Sequence, residues 1–346
     1  MPKTKSIRAR SAMKRALTWG VPEACGAGDG LLALSCDITE MCAAITSDMN
    51  ESGYEKATDF QKAGLRFRLP AHMRYEGLDL PIALVLGSTG GEPVRQGTTS
   101  AYMQTFKPEG AIDGLFATLV LDNGMKIREC PSLKVLGLTL GGRTGRPISI
   151  GFECMADSVR LDSTTNTPTS LHYVEMPSDG GRVLMSQGVF RMNESKQGAL
   201  GSTDLIRPSS FELKFRRNLA GERPAGSPTD TIDEPANVGP VEARLALSFA
   251  RYADLRLLDR WKAGSPYKMD ISFTGASIGA GPSRSIKLVF PKLEPLHVRF
   301  LMEKGNQGLV VEFACRETAL SPEGMEGVSA SFHLSLINTR SKDVLE

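Results

Sequence analysis

The sequence predicts an all-β protein made of two tandem units of β-sandwich or barrel type, each with one short α-helix. Three observations carry this expectation. Apolar residues recur at every second position through most of the chain, the spacing of strands with one buried face. Helical spacing is confined to two short stretches, Leu78 to Leu86 and Asp254 to Lys262. The two halves also repeat similar blocks in the same order.

The expected strands follow one another along the chain. Leu136, Leu138 and Leu140 form one row, and Ile148, Ile150, Phe152 and Cys154 the next. Phe211, Leu213 and Phe215 alternate with Glu212, Lys214 and Arg216, and Leu245, Leu247 and Phe249 alternate with Arg244, Ala246 and Ser248. Val298, Phe300 and Met302 make another row, then Leu309, Val311, Phe313 and Cys315, and last Val328, Ala330, Phe332, Leu334 and Leu336. Asp122-Asn123-Gly124 signals a hairpin, because Asn-Gly accepts positive φ. Pro81 falls in the first turn of the first expected helix, where its missing N–H costs little. Asp37 to Ile45 fits either a helix or a strand. The polar segments 88–100, 157–182 and 218–240 read as long loops, which suit contacts between subunits.

The repeat is visible as RYxxLxLxxxxxxGS, which begins at Arg74-Tyr75 and again at Arg251-Tyr252. Pro131-Ser132-Leu133 with its leucine row matches Pro291-Lys292-Leu293 with Leu296, Val298 and Phe300. Phe152-Glu153-Cys154 matches Phe313-Ala314-Cys315, and Met192-Asn193 matches Ile337-Asn338. Alternation alone would not place Arg-Tyr, Gly-Ser, Pro and Cys at corresponding sites. The chain therefore divides into an N-terminal arm and first strand region (1–50), a first unit (51–200) and a second unit (201–346).

Composition excludes several classes of function. A net charge of +2 with 23% charged residues gives no strong field for nucleic acid or an anionic membrane. The exception is the start, where Lys3, Lys5, Arg8, Arg10, Lys14 and Arg15 occur without an acid. That pattern suits a nucleic-acid arm, a targeting segment or a tail that orders on assembly, and the general habit of termini favours the last. No apolar stretch reaches the ~18 residues of a membrane helix. Cys25, Cys36, Cys42, Cys130, Cys154 and Cys315 form no CxxC pair, and the last three read as reduced core thiols.

Motifs for chemistry are weak. Gly275-Ala276-Ser277-Ile278-Gly279 fits G-x-S-x-G, but the nucleophile elbow needs a helix after the serine, and Ala280-Gly281-Pro282 is no helix start. Gly26-Ala27-Gly28-Asp29-Gly30 and Gly141-Gly142-Arg143-Thr144-Gly145 are glycine-rich without the spacing of a phosphate loop. His72, His172, His297 and His333 lack metal-ligand spacing. Arg74 and Arg251 could hold an anion, yet corresponding places in both halves suggest a structural role. No catalytic, cofactor-binding or metal-binding residue is expected, and no cofactor. Trp19 and Trp261 are too few and too far apart in sequence to suggest a carbohydrate-binding sandwich.

The segment from Leu65 to Ala156 resembles the tail tube proteins of long-tailed bacteriophages. The resemblance rests on Arg74 to Leu80, Ala83 to Gly87, Gly114 to Leu119, Pro131 to Val135 and Leu138 to Leu140. It returns at Met269 to Gly275 and at Ile337-Asn338. It implies two tandem tail-tube-type domains and a structural virion protein without enzymatic activity. Such a protein self-assembles into stacked rings that form the tail tube, the conduit for DNA ejection into the host. Two fused domains imply homotrimeric rings with pseudo-sixfold symmetry. The implied partners are a tape measure, a tail terminator and tail-tip proteins, with genomic DNA passing through the lumen without specific binding. The implied location is the virion tail, assembled in the host cytoplasm. A bore that lets DNA slide should be polar with few exposed Lys or Arg, since these would hold phosphates. The alternative is another phage β-sandwich assembly protein, such as a capsid decoration or tail-end component.

Overall fold

The computed structural model describes the chain except for residues 1–9, 35–37, 39–41, 47–57, 63–64, 125, 162, 178–180, 223–230, 252–258, 260–261 and 304–305. The fold is all-β. Its first part contains β1 (Arg10–Ala16), β2 (Cys42–Thr46), β3 (Thr58–Lys62), β4 (Leu65–His72), helix α1 (Asp79–Leu86), β5 (Val94–Arg95) and β6 (Tyr102–Phe106). Then come β7 (Phe116–Asp122), β8 (Ile127–Arg143), β9 (Ser149–Ala156), β10 (Arg160–Leu161) and helix α2 (Pro168–His172). The second part contains β11 (Gly188–Glu194), β12 (Leu205–Ile206), β13 (Ser210–Arg216), β14 (Leu219–Ala220), β15 (Ala236–Asn237) and β16 (Glu242–Phe249). It ends with β17 (Tyr267–Ser277), β18 (Ser283–Glu303), β19 (Asn306–Arg316) and β20 (His333–Asn338).

Local chemistry explains the main elements. In β13 and β16 the odd-numbered apolar residues are buried and their polar neighbours face out, so alternation alone fixes which side meets the core. At the β7–β8 turn, Asp122 and Asn123 accept from the backbone N–H of Gly124 (2.7 Å) and Lys126 (3.0 Å), and Gly124 takes φ +78°. Helix α1 ends at Gly87, whose φ of +91° permits a left-handed cap with its N–H on Ala83 O. The second expected helix lies mostly outside the described residues; Asp259 and Lys262 are helical.

The strands join in one 16-stranded sheet, with β2–β3 and β14–β15 as separate pairs. That sheet doubles back on itself as two packed layers. One layer runs β4-β9-β8-β13-β16-β19-β18, every neighbour antiparallel. The other holds β1 and β7 against the start of β8, and β11, β17 and β20 around the start of β18. Aromatic rings meet between the layers: Tyr267 of β17 stands edge-on to Phe313 of β19 at 5.8 Å, and Phe190 of β11 to Phe211 of β13 at 5.5 Å. The principal apolar cluster draws on both halves, from Phe67 and Leu138 to Leu245 and Phe313. The division at 50/51 and 200/201 cuts across this arrangement, because β1 pairs with β7 and β11 pairs with β17.

The halves repeat down to their irregularities. Between β7 and β8 the register slips as Ala117 faces Leu133 and Leu119 faces Cys130. Between β17 and β18 it slips in the same way as Tyr267 faces Leu293 and Met269 faces Phe290. Pro131 and Pro291 occupy these two bulges, where a strand tolerates a missing N–H. A second slip leaves Leu136 extra between β8 and β9, and its counterpart leaves Leu296 extra between β18 and β19. The 3-10 turns Ala27–Asp29 and Ser202–Asp204 each have an aspartate accepting from the preceding glycine N–H at 2.7 Å.

Two sequence readings are corrected by this register. Leu133 faces Ala156 and Leu293 faces Cys315, so Phe313 corresponds to Cys154 rather than to Phe152. A slip of two residues keeps every side chain on its face, so the pattern could not detect it. The row Leu136, Leu138, Leu140 is also broken. The bulge turns Leu136 into a small cluster with Ile112, Met155 and Ile232, away from the main core that holds Leu138 and Leu140.

Candidate assembly surface

The sequence motifs weighed for chemistry resolve into structure. Ser277 ends β17, and Ile278 to Pro282 turns directly into β18, so the strand–turn–helix context of a nucleophile elbow is absent there. Its Oγ lies 3.5 Å from Ser283 Oγ. Among the described residues no group of three or more His, Cys, Asp or Glu side chains is placed to hold a metal ion. His72 is on β4, His172 on α2, His297 on β18 and His333 on β20. Gly141 and Gly142 lie within β8, where Gly141 passes close to Phe211 O of β13. Arg74 is buried just after β4, while Arg251 is exposed. Cys25, Cys130, Cys154 and Cys315 are buried thiols outside any disulfide, and burial pushes the Cys25 thiol up to about 12. Trp19 packs edge-on against Phe116 at 5.3 Å and donates to Ile232 O, so it is no open sugar platform. Trp261 lies outside the described residues. No helix among the described residues is long and apolar enough to cross a membrane.

What remains is a surface built by strand edges. The two halves meet where β13 lies between β16 of its own half and β8 of the other. Ser210–Arg216 pair on both sides, against Ser248–Glu242 and against Arg143–Gly137. Leu138 and Leu140 of β8 are 1% exposed beneath this junction. Arg217, one residue beyond β13, strengthens it. Its guanidinium is buried and donates to Val85 O, Leu86 O and Glu109 O, each at 2.7 Å, so it caps the carbonyl end of α1 from the other half. Burial holds its pKa down to about 10.

The corresponding edge of the second half is open. β18 pairs with β19 along one side from Lys292 to Glu303, but no described strand pairs with the other side of 297–303. Val298 is half-buried, Phe300 is 47% exposed and Met302 78% exposed. These three were expected to face the core. Val298 does pack against the main core, whereas Phe300 and Met302 stand at a margin where nothing described covers them. Counted from the shared bulge, Phe300 occupies the place of Leu140.

The opposite end of the layer is β4. Beside it, the N–H of Leu34 donates to Pro70 O at 2.8 Å. Ser209, just before β13, makes the equivalent bond to Ser248 O of β16 at 2.7 Å. Ile38 is buried in the main core, as Leu213 is.

The solvent face of this layer is polar and mixed in charge. Arg66, Arg68, Lys214, Arg216, Arg244 and Arg299 are exposed on it beside Glu153, Glu212, Glu242 and Glu312. Lys214 pairs with Glu212 at 2.6 Å, and Arg244 bridges Glu312 at 3.2 Å and Glu242 at 3.7 Å. A scan against protein-family models and a search of curated proteins each return no match for this sequence.

Proposed function

We propose that this chain is a structural protein that assembles with copies of itself into rings, stacked as the tube of a phage tail through which DNA leaves. The observation that supports the reading best is the layer β4-β9-β8-β13-β16-β19-β18, in which two equivalent halves already sit side by side. A layer made of repeats with an open end can continue by adding more repeats. Cyclic addition closes it, and closure removes exposed strand edges that would otherwise invite aggregation. Three chains would supply six such halves, in keeping with a trimeric, pseudo-sixfold ring. Head-to-tail stacking of rings does not close and gives a filament.

On this reading the polar face of the layer lines the bore, since the other face is the core. The bore then carries more Lys and Arg than the sequence expectation of few cations allowed for. The neighbouring glutamates offset much of that charge, and paired cations have less to offer a passing phosphate.

Negative-stain electron microscopy of the purified protein tests the proposal. Rings or tubes of uniform width are expected. Single particles at every concentration would count against self-assembly, and an isolated ring that never stacks would favour a decoration or tail-end component.

A further inference from the structure

We propose that the open edge of β18 at 297–303 receives a second copy of this chain, which presents its β4 margin in the register that β13 takes on β8. The inference rests on the ring reading above and names the surface through which one ring subunit would meet the next.

The chain itself shows how such an edge is covered. In the first half the region of β8 past its bulge is sealed by β13, and the leucines beneath are inaccessible. In the second half the same region of β18, past the same bulge, carries the same apolar row and no described strand on that side. The row includes a phenylalanine and a methionine exposed beyond what an isolated strand margin tolerates well. The complementary end of the layer lies at β4. There the backbone at Leu34 is held on Pro70 as Ser209 is held on Ser248, where β13 begins. A second copy placed by the same relation that joins the two halves sets its β4 margin on β18. The main-chain groups on the open side then gain partners, as in strand addition to a sheet edge. Phe300, in the place of Leu140, would face Ile38 of the second copy, because Leu140 faces Leu213 and Ile38 stands in the place of Leu213.

Cross-linking between copies tests this. Phe300→Cys and Ile38→Cys are made separately in a background with Cys36→Ser and Cys42→Ser, then mixed after reversible dissociation and treated with a short thiol-to-thiol reagent. A covalent dimer is expected from the mixture and from neither variant alone. The double variant should give dimers and trimers. A second measurement uses Phe300→Asp, which alters a partly exposed side chain at a margin. Its circular dichroism should match wild type and its melting temperature that of dissociated wild type, while rings are lost in electron micrographs. Rings that form normally with Phe300→Asp, or a mixture without cross-links although wild type forms rings, would overturn this contact and leave the ring reading standing. Wild-type protein that stays monomeric at all concentrations would overturn both.

Discussion

At the scale of single residues, Gly30 and Arg217 show where side-chain chemistry is fixed by close approach. Gly30 bridges to Ala12, and a Cβ there would collide with the carbonyl of Glu175. Its φ is ordinary, so it is the packing of the 157–182 segment that demands glycine. In the second half Leu205 takes the same place beside β11 and is 50% exposed, and no such segment among the described residues crosses it. The glycine-rich run was conspicuous in the sequence, but the need for glycine at Gly30 comes from a contact about 145 positions away in the chain, which no local pattern encodes. Gly30→Ala should cost about 1–3 kcal/mol, read as a lower urea midpoint with unchanged slope. Arg217 is the opposite case, a buried cation whose charge is spread over three carbonyls. Arg217→Ala would take the guanidinium donors from Val85 O and Glu109 O, while Leu86 O keeps the N–H of Glu109 at 2.8 Å, and would open a cavity beside Phe215, whose ring lies 5.3 Å from the guanidinium. Destabilisation on the order of 3 kcal/mol is expected in the same assay, and Arg217→Lys should recover only part of it, since an ammonium cannot span all three acceptors.

At the scale of elements, strand identity was largely legible and strand margins were not. Alternation located β13 and β16 because each has one wet and one dry face, and it located β9 and β19 from their apolar rows although Met155, Val310 and Ala314 on the other side are buried as well. It could not separate a covered margin from an open one, which is why Phe300 and Met302 read as core like Val298, which does pack against it. Nor could it find the bulge at Leu136, since a bulge inserts a residue without changing composition. Strand β20 yields a test of burial that sequence alone could not supply. It lies between β18 and β6, and His333 on it has its pKa lowered by burial and by the nearby Lys107. His72 on β4 is lowered by burial, Arg182 and Arg74. A histidine whose folded pKa lies below its unfolded value of 6.5 binds fewer protons when folded. Its contribution is therefore intact above that value and is lost as pH falls through the folded pKa. Asp79, whose pKa burial raises, works in the other sense, favouring the folded state below 3.8 and losing that contribution as pH rises through its folded pKa. The difference between wild type and His333→Gln isolates the histidine. The melting temperature of wild type should fall more steeply than that of the variant between about pH 7 and pH 5. Parallel curves would show that His333 is not held neutral by the fold.

At the scale of the whole molecule, the repeat seen in the sequence becomes a layer whose two halves are joined by β13, and the same join can be continued from copy to copy. Closing a ring and stacking rings then use different surfaces, so they should be separable. Ring closure as proposed uses strand edges and an apolar row, which salt affects little. The basic start of the chain has a different character. Lys3, Lys5 and Arg8 precede β1, and Arg10 is the first residue of the strand, where it donates to Leu171 O and His172 O. Removing residues 1–9 therefore takes away charge without removing any residue of β1. If the arm bridges successive rings, the truncated chain should still form closed rings while its tubes become shorter and rarer. Wild-type tube length should also shrink as salt rises from about 0.1 M to about 1 M, where the Debye length drops from ~10 to ~3 Å. Micrographs of both chains across that series decide the matter. Truncated protein with tubes of wild-type length would remove the arm from stacking. Loss of closed rings on truncation would mean that the arm takes part in closure, and the separation of the two surfaces would fail.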